Sequence, residues 1–269
     1  MTTLAELLTH LDGNLPFAWA EPWDRVGLLA GDPTDPVTGV LVSLDPTQSA
    51  LTRAAEQGAS VLVTHHPAFL DPLEAVVAGP GTRAVAYRAT RLGIALVACH
   101  TNLDRSPEGA DALPAALGLP IVGSLERRAP GASRPDLPAD TPLAGRLCDA
   151  PASSTVASLA ALVSDRLGVR TRVWGDAERA VDLVALAPGS GRSLVADAIA
   201  AGADALVTGE LRYHEASEAL QAGLAVIEAG HDATEWPLTR ALATIVSRTP
   251  GMHAHEVVLD RIDYPWWIA

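Results

Sequence analysis

The stretch GVLVSLDPTQSALTRAAEQGASVLVTHH, residues 39–66, reads as strand, helix, strand. Apolar, β-branched runs stand at both ends and an Ala-rich helical segment lies between them. A second stretch, LVALAPGSGRSLVADAIAAGADALVTGE, residues 183–210, has the same pattern. Gly58 aligns with Gly202 and Thr64 with Thr208 without a gap, so His65-His66 fall opposite Gly209-Glu210. A third strand follows in each copy, GIALVACHTNLD from Gly93 and GLAVIEAGHDATE from Gly223, after a shorter connection in the second copy. Chance likeness between Ala-rich units is the alternative. The coincident glycines and the shared Leu-Val-Thr favour an internal repeat.

The expected fold is therefore α/β: two similar lobes with mainly parallel strands. Residues 1–125 are expected to form the first lobe, completed by the C-terminal 236–269, and residues 126–235 the second. The Pro-, Arg- and Ala-rich segment from about Gly123 to Asp140 reads as the linker.

Composition narrows the function classes. The chain has 269 residues, 48% of them hydrophobic, with a formal net charge of −13. Such a field repels nucleic-acid phosphates and anionic membranes. The one dense basic cluster, Arg127-Arg128 with Arg134, reads as a solvated loop. Two cysteines, Cys99 and Cys148, cannot build a disulfide framework. The stretch MTTLAELLTHL has no basic leader region and no apolar run reaches membrane-spanning length. These features predict a cytoplasmic protein.

In open parallel sheets, ligands gather beyond the carboxyl ends of the strands. His65, His66, His100, Asp104, Glu210, His231 and Glu235 are expected there. Imidazoles and carboxylates without a thiolate suit zinc, iron or manganese. If a helix starts after Gly230, His231 and Glu235 share one of its faces. The set exceeds what one catalytic ion needs, so two ions use it better. Each residue also has a plainer reading. A His-His pair occurs in turns, His-x-x-x-Glu is a common helix pair, and Asp104 could cap a helix. Their coincidence at the strand ends of repeated lobes favours metal. APGSGRSL (187–194) reads as a tight turn between strand and helix, and HAHEVVLD (253–260) as an exposed strand start. Cys99, inside an apolar run, reads as an inert buried thiol.

The motifs WDRVGLLAGDP, VTHHPAF, ACHTNLD, TGELRYHEA and AGHDATE occur in an order that resembles the Nif-three-like proteins, a family also called GTP cyclohydrolase 1 type 2 homologs. The resemblance spans nearly the whole chain. It implies a two-lobed α/β monomer with a dinuclear metal site in the cleft between lobes, assembled as a toroidal homohexamer. His65, His66, Asp104, His231 and Glu235 would be the ligands, with Glu235 bridging two divalent ions. His100 and Glu210 would stand near the site, His100 as an acid/base. Arg25 departs from the Asn usual in the family, which leaves the role of Asp24-Arg25 open.

Two functions follow. The first is a metal-dependent hydrolase, of cyclohydrolase or phosphoesterase type, acting on a nucleotide or another small phosphate-bearing anion. The second is a non-enzymatic toroidal metal-binding scaffold or regulatory interaction protein. The terminal DYPWWIA, with adjacent Trp266 and Trp267, suggests a contact surface in a homo-oligomer.

Overall fold

The computed structural model describes residues 2–129, 134, 138–253 and 256–260. His255, Trp266 and Trp267 lie outside the described residues, as does part of the segment read as a linker. The chain forms two compact units, residues 1–103 with 239–269 and residues 104–238.

The first unit opens on α1 (Leu4–Asn14), started by a reciprocal cap in which Thr3 and Glu6 satisfy each other's backbone N–H groups. Leu4, Leu7 and Leu11 recur at helical spacing and are buried. Its elements continue with β1 (Gly27–Ala30), β2 (Val40–Ser43), α2 (Gln48–Glu56), β3 (Val61–Thr64), α3 (Thr82–Leu92) and β4 (Ala95–Ala98). A late strand, β11 (Val257–Leu259), completes a sheet of order β1-β4-β3-β2-β11. All its pairs are parallel except β1 with β4. Every residue of β2, β3 and β4 is buried, as expected for central parallel strands. Leu51 of α2 and Val85 of α3 pack with Leu41, Leu62 and Leu96 of these strands.

In chain order β4 is followed by the short α4 (Thr101–Arg105), then α5 (Pro107–Ala110) and α6 (Ala112–Leu117). The second sheet takes β5 (Ile121–Ser124), β6 (Arg146–Asp149), β7 (Arg172–Trp174), β8 (Leu183–Ser190), β9 (Ala205–Glu210) and β10 (Ala225–Glu228). Its helices are α7 (Val156–Leu167), α8 (Val195–Ala200), α9 (Tyr213–Gln221) and α10, which begins at His231 and runs to Ser247. The order is β5-β6-β8-β9-β10-β7. Here only the centre is parallel, where α8 and α9 supply the crossovers that parallel neighbours need. β5, β6 and β7 pair antiparallel around it.

The repeat extends to register. Val40 pairs with Val61 and Ser43 with Thr64; Val184 pairs with Ala205 and Ala187 with Thr208. The third strands follow suit, with Thr64 opposite Ala98 and Thr208 opposite Glu228. Even the helix exits coincide, since Gly58 and Gly202 both turn the chain with φ near +70° (70° and 72°). The expected boundary at residue 125 moves, because β5 pairs with β6 and carries residues 104–125 into the second unit. Gly123 and Ser124, read as linker, are part of β5. Among the described residues, no helix is long and apolar enough to cross a membrane.

Candidate metal centre

The His65-His66 pair is held where β3 ends. The ladder continues one step past the strand, with His65 N–H donating to Ser43 O and His66 N–H to Leu44 O. Thr64 Oγ1–H donates to the His66 carbonyl at 2.6 Å and tightens the turn. His100 follows β4 in the same way, after Cys99 N–H has donated to Thr64 O. Three imidazoles thus emerge from adjacent parallel strands. Their ring centroids lie 5.1 Å (His65–His66), 5.2 Å (His65–His100) and 5.6 Å (His66–His100) apart. One ring nitrogen from each falls within 4.8 Å of the others, close enough to hold a metal ion.

The orientation of each ring has an identifiable cause. His65 is fully buried, and its Nδ1 lies 3.0 Å from the Cys99 carbonyl oxygen. A carbonyl can only accept, so Nδ1 carries the proton and Nε2 keeps its lone pair. His66 Nδ1 donates to Asp45 Oδ1 at 2.7 Å, and His100 Nδ1 to Asp24 Oδ1 at 2.9 Å. Such acceptors behind an imidazole fix its tautomer and raise its basicity as a ligand.

Asp24 is itself clamped. It is buried, and its second oxygen accepts from the Thr101 backbone N–H at 3.0 Å and from the Thr101 hydroxyl. Burial alone would raise its pKa, but the His100 and Thr101 donors outweigh that and hold it down at about 2.

In the second unit, α10 starts at His231 directly after Gly230, whose φ of 93° turns the chain out of β10. His231 and Glu235 therefore sit four apart on the first turn, with Nε2 3.0 Å from Glu235 Oε2. His231 Nδ1 donates to Glu210 Oε1 at 2.7 Å, so this ring follows the same rule as the other three. Burial would lower its pKa, yet Glu235 and Glu210 outweigh it and lift it to about 9.

A separate buried carboxylate closes the same strand. Glu228, buried at the end of β10, accepts from Leu211 N–H at 2.8 Å, Trp174 Nε1–H at 2.8 Å and the Arg172 guanidinium. Burial pushes its carboxyl up, but these donors prevail and its pKa is lowered.

The expected residues fall into place unevenly. His65, His66 and His100 form one group, and His231, Glu235 and Glu210 a second. Glu210 is the acceptor that orients His231. Asp104 is half-buried on α4, four residues past His100. APGSGRSL is a strand end with a site contact: β8 runs to Ser190, and Gly189 packs against Glu235 and His231. Asp24 and Asp45 escaped the sequence reading as orienting groups. Asp45 stands just past the end of β2, where the strand-end rule also points. The donor set, imidazole nitrogens with carboxylate oxygens, fits zinc, iron or manganese.

The family model for Duf34/NIF3 (NGG1p interacting factor 3) matches residues 2–264. A GTP cyclohydrolase 1 type 2 homolog of Streptomyces coelicolor is 37% identical, with 99% of this chain and 94% of that protein aligned. Staphylococcus aureus protein SA1388 superposes with a TM-score of 0.84 at 26% identity, covering 100% of this chain and 99% of that one. A Bacillus cereus protein related to NIF3 has the same fold, with a TM-score of 0.88 at 21% identity and coverage of 100% and 99%. With motifs, fold and near-complete coverage in agreement, this chain belongs to the Duf34/NIF3 family.

Proposed function

We propose that this protein is a dinuclear metal-dependent hydrolase acting on a nucleotide or another phosphate-bearing small molecule. The observation that carries the reading is the shared orientation of His65, His66 and His100, whose Nδ1 atoms each face an acceptor, so that Nε2 is the atom turned to ligation or proton transfer. His65, His66, Asp104, His231 and Glu235 would be the ligands of two divalent ions, zinc, iron or manganese. The name of the Streptomyces coelicolor relative supports the cyclohydrolase form of the reading.

When bound, the ions supply Lewis acidity and activate water. His100, its Nδ1–H tied to Asp24, takes the proton of the attacking water at Nε2 and returns it to the leaving atom. Glu210 holds His231 in its ligating tautomer. The buried thiols of Cys99 and Cys148, pushed up to about 12 and about 11 by burial, take no part in this chemistry.

The reading includes a homohexamer, on the family resemblance. The test is metal analysis of purified and reconstituted protein, joined to a turnover screen of GTP and generic phosphodiesters, with molar mass by light scattering. About two ions per chain and metal-dependent hydrolysis are expected. Bound metal without turnover of any substrate would favour a scaffold instead.

A further inference from the structure

The exposed Trp23 has a specific place beside the imidazole group. Its ring centroid lies 6.0 Å from that of His100 at an interplanar angle of 75°. The indole is 55% exposed, unusual for the largest apolar side chain. It is not carried on a loose segment. Glu21 N–H donates to Thr101 Oγ1 at 2.8 Å, and Asp24 N–H closes a turn onto Glu21 O at 2.9 Å. Asp24 is locked to His100 and Thr101, and Arg25 Nε–H donates to the Leu70 carbonyl at 3.2 Å. Residues on both sides of Trp23 are therefore anchored while the indole itself stays open to solvent.

An aromatic surface fixed in advance next to a metal-ligand group costs a planar ligand little in ordering. Phosphate oxygens are drawn to divalent cations, and a nucleobase offers a π-face to an indole. A sugar phosphate without a base offers no aromatic face to stack on Trp23.

We infer that Trp23 is the base-recognition residue of this site, stacking the nucleobase of a nucleotide whose phosphates face the metal ligands. The inference rests on the metal-site reading above and narrows its substrate class from phosphate compounds in general to nucleotides. Trp23 acts on binding and specificity, with no part in proton transfer.

The experiment is equilibrium binding to the metal-loaded protein, with GMP and ribose 5-phosphate as paired probes. Wild type is expected to bind GMP about tenfold more tightly, the size of one stacking contact. Trp23→Ala should erase that preference and leave ribose 5-phosphate unchanged, whereas Trp23→Phe should keep most of it. GMP should also quench tryptophan fluorescence in wild type and lose that quenching in Trp23→Phe while still binding. Equal weakening of both probes by Trp23→Ala, or no base preference in wild type, would overturn the inference. A drop in molar mass of Trp23→Ala would also overturn it, by moving Trp23 to a subunit contact. Metal content separates the two levels: loss of metal from wild type defeats the metal-site reading, whereas retained metal without base preference defeats only this one.

Discussion

Gly189 is packed so closely on Glu235 that a Cβ built on it would stand 2.0 Å from Glu235 Oε1 and 3.2 Å from His231 Nε2. Its φ is +61°, and its N–H donates to Thr234 Oγ1 at 3.0 Å, between the two candidate ligands on α10. The close approach of backbone to carboxylate is thus open only to glycine.

Gly189→Ala is expected to push the Glu235 carboxylate from its place and deplete metal in the second unit. Gly202→Ala is the matched control, since Gly202 has a φ of +72° but nothing within 4 Å of its added Cβ. Both variants should lose about 1–3 kcal/mol through left-handed backbone strain. Only Gly189→Ala should lose metal as well, as read by elemental analysis beside thermal melts. Equal metal content in the two would refute the contact's role.

His66→Ala and Asp104→Ala should each lower metal occupancy while the far-ultraviolet spectrum stays unchanged. Neither side chain belongs to the apolar packing of the sheets; His66 follows β3 and Asp104 lies on the short α4. Asp45→Asn should act more mildly, weakening metal affinity about 10- to 100-fold, because it leaves the ligand and disturbs only its orientation. Full retention of metal by all three would sink the ligand assignment.

His100→Ala should keep metal and lose turnover by about 100-fold or more. Asp24→Asn should fall in between, since the amide still fills the space but no longer accepts as a carboxylate from both His100 and Thr101. Loss of metal along with turnover in His100→Ala would make His100 a ligand, an outcome its position within 4.8 Å of the other two ring nitrogens keeps open.

Glu228 gives a pH signature away from the metal. Its folded pKa is lowered from the ordinary 4.5, so its contribution is fully present above that value and is lost as pH falls through the lower, folded one. Glu228→Gln should cost about 2 kcal/mol at neutral pH by weakening charge-assisted hydrogen bonds to Arg172, Trp174 and Leu211. The gap between wild type and variant should then narrow as melts are repeated below pH 4.5. A gap that stays constant down to the acid limit would mean the carboxylate charge is not what stabilises this corner.

Much of the architecture is legible without coordinates, because strand and helix periods are local. The offset that aligns Thr64 with Thr208 also reproduces the pairing register of both sheets, since each strand-helix-strand unit sets its own pairing. His65, His66 and His100 at strand ends, and His231 with Glu235 on one helical turn, follow from the same periods. Tertiary structure decided the rest. Which group accepts a hydrogen bond from an imidazole depends on proximity in space: Asp24 reaches His100 from 76 positions away in the chain and Asp45 reaches His66 from 21. β5, β6 and β7 pair antiparallel around a parallel centre because partners without a helical crossover are chosen by the packing of the whole sheet, and that choice also moved residues 104–125 into the second unit. Gly189 looks like any turn glycine until the fold brings α10 against it, because a steric limit exists only once both chain segments are in place.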